Sequence, residues 1–468
     1  MRLALKLLEK PNCVLSRGFR HQFLAALSVD IIFFSHGVGT GWFSPTLPKL
    51  LSSDSPLDFD IALAEASWIG SLVGLGSTFG TLLFGFLMDR MGRKICIYLL
   101  TLPHICLWVL VYCAQSVEFL YVARFLGGMT GGGSFVVLPI FVSEIADCGI
   151  RGTLSAMMML SMNFGILIGY IVATYLNYHL IPCLIIALPF IYLGATKIFP
   201  ETPQYLLRKG QLEAAQKSFK FYKNCADGPG NYNELQQCNL EFLQLKAYIE
   251  KDSEGSGWRY RDFATKPALK AFCTAAVILF VNQFSGSFAF INYMSHIFAQ
   301  SGSQLLEPNT CTIITGGVQI FGACVATVLV DRCGRKLLML LSTCGLGLFL
   351  TAFGTFIHIG KSRDLTDFGW VPLVLMMVIV FLTNIGIIAL TFVLLVEIFP
   401  AKIRSVAASG ALLMLSVLVF CTLKIFPIYM SHFGLAVTMW SCAAVCLGSF
   451  VYFLIFLPET KGKSMNVD

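Results

Sequence analysis

The chain has 468 residues, of which 56% are hydrophobic and only 13% charged, with a mean hydropathy of +0.75; soluble domains carry roughly 25% charged residues. A water-facing surface cannot be built from so little charge, which excludes an arrangement of soluble domains and implies a lipid bilayer as solvent. The net charge of +7 is read from where the basic residues fall, and no nucleic-acid partner is expected.

Taken in chain order, residues 1–20 are basic and broken by Pro11, and they lead into a full span, so they read as a cytoplasmic segment rather than a cleaved leader. Twelve apolar runs follow, each close to the roughly 20 residues that cross the hydrocarbon core. They lie at 21–44, 64–88, 95–114, 117–142, 153–175, 178–199, 268–298, 309–330, 337–358, 370–396, 405–430 and 433–457. The first contains Asp30, an expensive charge in lipid, which is read as pairing with a basic residue near the cytoplasmic end or, alternatively, as a proton-coupling group. The fourth carries Arg124 and the glycines Gly127, Gly128, Gly131, Gly132 and Gly133, small residues that let helices approach closely. The expected organisation is an N-terminal segment 1–20, a six-helix half 21–199, a cytoplasmic helical linker 200–266, a second six-helix half 267–457 and a cytoplasmic tail 458–468. Within the linker, Leu212, Ala215, Phe219 and Tyr222 have helical spacing, and a second helical pattern runs from Leu235 to Ile249.

Basic residues orient the spans. Of 33 Lys and Arg, 28 fall in segments on the side of the termini and three, Lys49, Lys361 and Arg363, on the other. Under the positive-inside rule both termini are cytoplasmic. The 16 cysteines are scattered without a C-x-x-C and read as packing residues. There is no Gly-Lys-Ser/Thr phosphate loop, the glycine cluster does not follow a strand, and no metal-ligand spacing appears. The chain is therefore expected to be no enzyme, to need no cofactor and to bind no metal.

Three motif pairs repeat in the same order. Asp89-Arg-Met-Gly-Arg-Lys94 returns as Asp331-Arg-Cys-Gly-Arg-Lys336; Glu144 with Arg151 returns as Glu397 with Arg404; Pro200-Glu201-Thr202 returns as Pro458-Glu459-Thr460. Each copy stands after the second, fourth or sixth helix of its half, which implies two parallel halves that rock about a site at the midplane. Charged groups at cytoplasmic helix ends read as a gating network of Arg93, Glu144, Arg151, Glu201, Arg335, Glu397, Arg404 and Glu459.

This ordered set, with Arg124, Ser143-Glu144, Arg151-Gly152, Asn282-Gln283-Phe-Ser-Gly286 and Pro458-Glu-Thr-Lys-Gly-Lys463, resembles the sugar porter family of the major facilitator superfamily over nearly the whole chain. Ser44-Pro45, Ser67-Trp-Ile-Gly70 and the Lys424 segment are most similar to insect facilitated trehalose transporter-like proteins. The resemblance implies an all-α major facilitator fold, plasma-membrane residence and facilitated diffusion of a hexose or disaccharide, with the chain working as a monomer. It also places Arg124 with the cytoplasmic network.

A sugar needs several hydrogen-bonding groups and an apolar face to stack on. Gln283, Asn282, Gln319, Asn163, Asn292 and Phe392 are the expected contacts, and helix–helix packing is the competing role for each. The family pattern is broken at several of its pocket positions: Phe288 replaces an Asn, Met159 a Gln, Phe392 a Trp and Leu415-Ser416 an Asn-Trp, and the prolines of helix 10 are missing from Ile388–Phe392; outside the pocket, the Arg that usually ends the Pro-Glu-Thr-Pro motif is Gln204. Each partner lost from the pocket weakens binding by about 0.5–1.5 kcal/mol. Two alternatives stand beside uniport: a proton-coupled sugar or polyol symporter using Asp30, His36 or His296, and a non-transporting nutrient receptor.

Overall fold

The protein is described by a computed structural model covering residues 19–53, 55–147, 149–225, 232–255, 260–302, 306–400 and 402–459. Most of the N-terminal segment 1–20, the linker break at 226–231 and all but the start of the tail 458–468 lie outside the described residues.

The first half comprises α1 (Phe19–Leu50), α2 (Leu63–Met91), α3 (Arg93–Leu99) with α4 (Thr101–Tyr112), α5 (Val117–Ile145), α6 (Arg151–Tyr175) and α7 (Leu180–Ile185) with α8 (Ala187–Thr196). The linker forms α9 (Pro203–Arg208), α10 (Leu212–Lys223), α11 (Tyr232–Gly255) and α12 (Tyr260–Phe263). The second half comprises α13 (Lys266–Phe284) with α14 (Ser287–Gln300), α15 (Pro308–Cys333), α16 (Arg335–Gly360), α17 (Val371–Thr383) with α18 (Ala389–Glu397), α19 (Arg404–Phe433) and α20 (Leu435–Phe456). Among the described residues there is no strand. Among the described residues eleven helices or helix pairs are long and apolar enough to cross a membrane, and Leu180–Thr196 is a shorter apolar twelfth. This sixth span is therefore shorter than the run 178–199 suggests.

Glycine decides which helices touch. α1 packs along α6 and α2 along α5. A Cβ on Gly37 would run into the Met162 carbonyl, one on Gly165 into the Phe34 carbonyl, and one on Gly76 or Gly128 into the facing backbone of α5 or α2. In lipid, where apolar side chains gain little by leaving the solvent, such backbone approach is a main source of cohesion.

Four spans expected to be continuous are divided, the third at Leu100, the sixth at Ile186, and the seventh and tenth by larger departures from α-helix. The seventh breaks at Ser285–Gly286, with Gly286 at φ +86°, a left-handed conformation open to glycine. The tenth widens into a π-helical turn over Asn384–Ile388 between α17 and α18. Both interruptions put irregular backbone at mid-span, which is tolerated there only when buried in protein or lining a cavity.

The two halves meet along α2 with α19, α6 with α15, and α1 with α14. The face bearing the linker helices is called the linker face below, and the other the opposite face.

Candidate substrate site

The repeated motifs build two matching corners on the linker face. In Asp89–Lys94 the chain turns from α2 into α3 at Gly92, φ +97°; in the second copy it turns from α15 into α16 at Gly334, φ +87°. Beyond the glycine, backbone amides at the start of the next helix are free to bind an anion. Glu201 accepts from the Lys94 amide at 2.9 Å, and Glu459 accepts from the amides of Arg335 and Lys336 at 3.0 and 3.2 Å. A side chain on either glycine would meet the same carboxylate. Burial raises the Glu201 carboxyl above its ordinary value, against the lowering effect of its amide bonds from Thr202 and Lys94.

Arg93 pairs with Glu144 at 2.8 Å, and Arg335 with Glu397 at 3.3 Å. Thr202 donates its hydroxyl to the other oxygen of Glu144 at 2.6 Å. Arg151 donates to the Ala146 carbonyl at 3.4 Å and Arg404 to the Phe399 carbonyl at 3.2 Å, each closing the turn into the following helix. Arg93–Glu144 lies within the first half and Arg335–Glu397 within the second, so neither pair bridges the halves.

Arg124 requires a correction. It stands two turns from the start of α5 at the opposite face, about 30 Å along the helix from Glu144 at ~1.5 Å per residue, and it takes no part in the linker-face corners. Its guanidinium donates to the carbonyls of Ile69 and Gly39, both at 3.1 Å, and to Asn292 Oδ1 at 3.4 Å, and lies 4.6 Å from the centre of the Phe43 ring. It is 4% exposed. Carbonyls and an aromatic face replace a carboxylate as its partners.

The hydrogen bonds that join the halves run from the midplane towards the opposite face. Ser67 donates to the Lys424 carbonyl at 2.8 Å, Tyr170 to the Ile291 carbonyl at 2.9 Å, and the Ser295 amide to Ser44 Oγ at 3.1 Å. Lys424 Nζ sits 3.8 Å over the Trp68 ring. At the midplane Gln319 donates to Asn163 Oδ1 at 2.7 Å, binding α15 to α6.

The remaining expected contacts gather where the seventh and tenth spans are interrupted. Asn282 donates to Thr391 Oγ1 at 3.0 Å beside the π-turn, and Gln283 Nε2 donates to Asn282 Oδ1 at 2.8 Å. Gln283 is 1% exposed, and among the described residues its amide oxygen has no hydrogen-bond partner. Phe392 stacks on Phe135 of the first half. Asn292 lies on α14, where its Oδ1 accepts from Arg124 and its Nδ2 donates to the Phe288 carbonyl at 3.1 Å. Thr391 and Phe135 were missed by sequence reasoning. A lone threonine in an apolar run was a usable signal for the first, whereas one phenylalanine among 40 offers none.

Among the described residues Asp30 has no ion pair: both carboxylate oxygens are buried without a hydrogen-bond partner, and the expected basic neighbour is not found there. His36 packs its ring at right angles to Phe135, 6.5 Å between centres, and His296 bonds to Gln300 at 3.1 Å.

A family model described as sugar (and other) transporter matches residues 37–467. The chain belongs to the sugar (and other) transporter family. It is a family of transporters, not enzymes. A relative within reach of direct comparison is the facilitated trehalose transporter Tret1 of Apis mellifera ligustica, 30% identical over 445 residues, 95% of this chain and 87% of that protein. The Tret1-2 homolog of Drosophila sechellia is 30% identical over 95% of this chain and 89% of its own length. Among solved structures, the xylose transporter XylE from E. coli in a partially occluded inward open conformation aligns with a TM-score of 0.76 at 18% identity, covering 95% of this chain and 99% of that chain. XylE bound to 6-bromo-6-deoxy-D-glucose, a major facilitator superfamily protein, gives 0.74 at 20% identity, covering 96% and 98%. These likenesses establish that this sugar (and other) transporter family member has the all-α major facilitator fold, as its motif order implied.

Proposed function

We propose that this transporter carries a sugar, a hexose or disaccharide, by facilitated diffusion with alternating access. The linker face is cytoplasmic, the membrane is the plasma membrane, and one chain suffices. The units are the segment 1–20, the halves 21–199 and 267–457, the linker 200–266 and the tail 458–468. The observation that carries the reading is the Gln283 amide: buried at a helix break beside the interrupted tenth span, its nitrogen satisfied and its oxygen, among the described residues, unpartnered. A buried acceptor without a donor is costly, and a sugar hydroxyl supplies one. Asn282, Asn163 and Gln319 already bond to neighbours, and they exchange those bonds for hydroxyls when substrate enters. Phe392 contributes the apolar face, and Asn292 supports the wall through Arg124.

Cytoplasmic corners built on Arg93–Glu144 and Arg335–Glu397, with Glu201, Glu459, Arg151 and Arg404, act as rigid ends of each half during rocking. The relatives named for trehalose support a sugar as cargo, and the bias of basic residues supports the orientation.

The test is radiolabelled uptake into proteoliposomes of glucose, trehalose, fructose and a polyol, with and without a pH gradient. Saturable uptake insensitive to the gradient is expected, with kcat/KM lowered about tenfold or more in Gln283→Ala. Uptake that follows the gradient would overturn uniport and direct attention to Asp30. Flux of none of these solutes through folded, inserted protein would overturn the sugar reading.

A further inference from the structure

The linker helix α11 is apolar on two sides. Its buried seam, Cys238, Phe242 and Ile249, lies on the side that packs against α9 and α10. There the rings of Phe219 and Phe242 are 5.6 Å apart, and Lys223 pairs with Glu241 at 2.7 Å. On the far side Leu240, Leu243 and Tyr248 are 55%, 57% and 68% exposed, and Ala247 is exposed beside them. Positions 240, 243, 247 and 248 have the spacing i, i+3, i+7 and i+8, which is one face of a helix. Among the described residues no element covers this strip, and grouped apolar side chains on a polar linker mark a contact surface.

The chain itself supplies a matching segment close by. Eighteen residues precede Phe19. They enter α1 beside the linker, where the His21 ring meets the Phe221 ring at 4.9 Å and the buried Gln22 donates to the Tyr222 carbonyl at 3.3 Å. From α10 to its neighbour α11 is one helix spacing, about 8–10 Å, whereas a chain of this length reaches up to about 60 Å. The charges are complementary. Residues 1–18 carry Arg2, Lys6, Lys10 and Arg17 against Glu9, net +3; α11 carries Glu234, Glu241, Glu250, Asp252 and Glu254 against Lys246 and Lys251, net −3. Arg2, Lys6 and Lys10 recur at every fourth residue, and Leu3, Ala4, Leu7 and Leu8 form an apolar stripe alongside. The negative charge of α11 also disfavours burial of its strip in an anionic lipid leaflet.

We propose that the exposed strip of α11 at Leu240, Leu243 and Tyr248 is the docking surface for the chain's own N-terminal segment, residues 1–18. The leucines of the segment meet those of α11, and its basic stripe meets the acidic residues of the same helix. Docked there, the segment joins the start of α1 to α11 across α10 and clasps the linker to the first half. The inference goes beyond the transport reading and is independent of the cargo.

The experiment is photocross-linking of the full chain in proteoliposomes, with p-benzoylphenylalanine placed at Leu243 and adducts mapped by mass spectrometry in monomeric protein. Adducts to residues 1–18 are expected. Their yield should fall about tenfold when Arg2, Lys6 and Lys10 are all replaced by Glu, because three attractive contacts become repulsive; an unchanged yield overturns the proposal. Adducts to phospholipid, to the second half or to another copy also overturn it, as does the absence of any adduct. Maleimide labelling of Leu243→Cys, read on its own peptide because the chain has 16 native cysteines, gives a second measurement without the photoprobe. Labelling should be about tenfold slower in the full chain than in one lacking residues 2–17, and equal rates overturn the proposal.

Discussion

Arg124 keeps a full charge in the bilayer interior with carbonyl oxygens, an amide and the Phe43 ring as its surroundings. Replacing it by methionine preserves length and removes every donor. The Asn292 amide oxygen is then stranded in a fully buried site, a loss of about 1–3 kcal/mol. Arg124→Met should therefore lower the unfolding midpoint of detergent-solubilised protein, and an unchanged midpoint would mean that water takes over the role. The sequence warned that Arg124 must be satisfied, because a lone charge in a span is expensive. It offered only the carboxylates of the linker-face motifs as partners, since backbone carbonyls and ring faces leave no residue-type signal. Gln283 was legible from its motif, but its unpartnered oxygen depends on where Asn282 points.

At the scale of elements, the break in the seventh span rests on Gly286 at φ +86°. Gly286→Ala imposes about 1–2 kcal/mol of left-handed strain and drives a Cβ towards the Phe290 ring. The expected outcome is slower uptake together with a lower midpoint; a variant with normal flux would show that α13 and α14 need no break. The linker helix α10 is tied to the first half through Lys223, which pairs with Asp147 at 2.6 Å and Glu241 at 2.7 Å. Burial lowers the Lys223 amine, but the hydrogen bonds and charges of Asp147 and Glu241 outweigh it, and the net shift is upward from 10.5. A raised folded value means the tie is complete below 10.5 and is lost as pH rises through the higher value. Protease sensitivity of the linker should accordingly be flat, as far as this group is concerned, from pH 6 to 9 (roughly the stable range). It should increase only in strong alkali, and Lys223→Met should expose the linker to protease at neutral pH.

For the molecule as a whole, the two ion-paired corners differ in depth. The side chains of Arg93 and Glu144 are 3% and 5% exposed, those of Arg335 and Glu397 16% and 14%. Removing one partner of a buried pair costs about 3–5 kcal/mol, and less where water reaches the survivor. Glu144→Gln should therefore destabilise the protein more than Glu397→Gln in parallel thermal unfolding, and the reverse order would contradict the burial argument. At the opposite face, Lys424 over Trp68 and the Ser67 bond hold α19 against α2. Lys424→Met forfeits a cation–π contact of about 0.5–2 kcal/mol and should shift the population towards opening on that face, read as faster labelling of a cysteine introduced there. Unaltered labelling would mean that the close approach of Gly74 to the Phe420 backbone and the 3.2 Å hydroxyl bond between Ser77 and Ser416 suffice.

Span positions, the doubling of the fold and its family were determined by the sequence alone, because a bilayer imposes length and hydropathy on each segment separately and repeated charges mark equivalent corners. The same information named Gln283, Asn282, Gln319 and Asn163 as polar groups in lipid that need partners. Which partner each one has was decided only by the tertiary structure. The stack of Phe135 on Phe392, the seat of Arg124 among carbonyls and the break at Gly286 all depend on which helix faces are brought together. In an apolar chain that choice is made by close packing of small and aromatic residues, whose identities look alike along the sequence and differ only in what they meet.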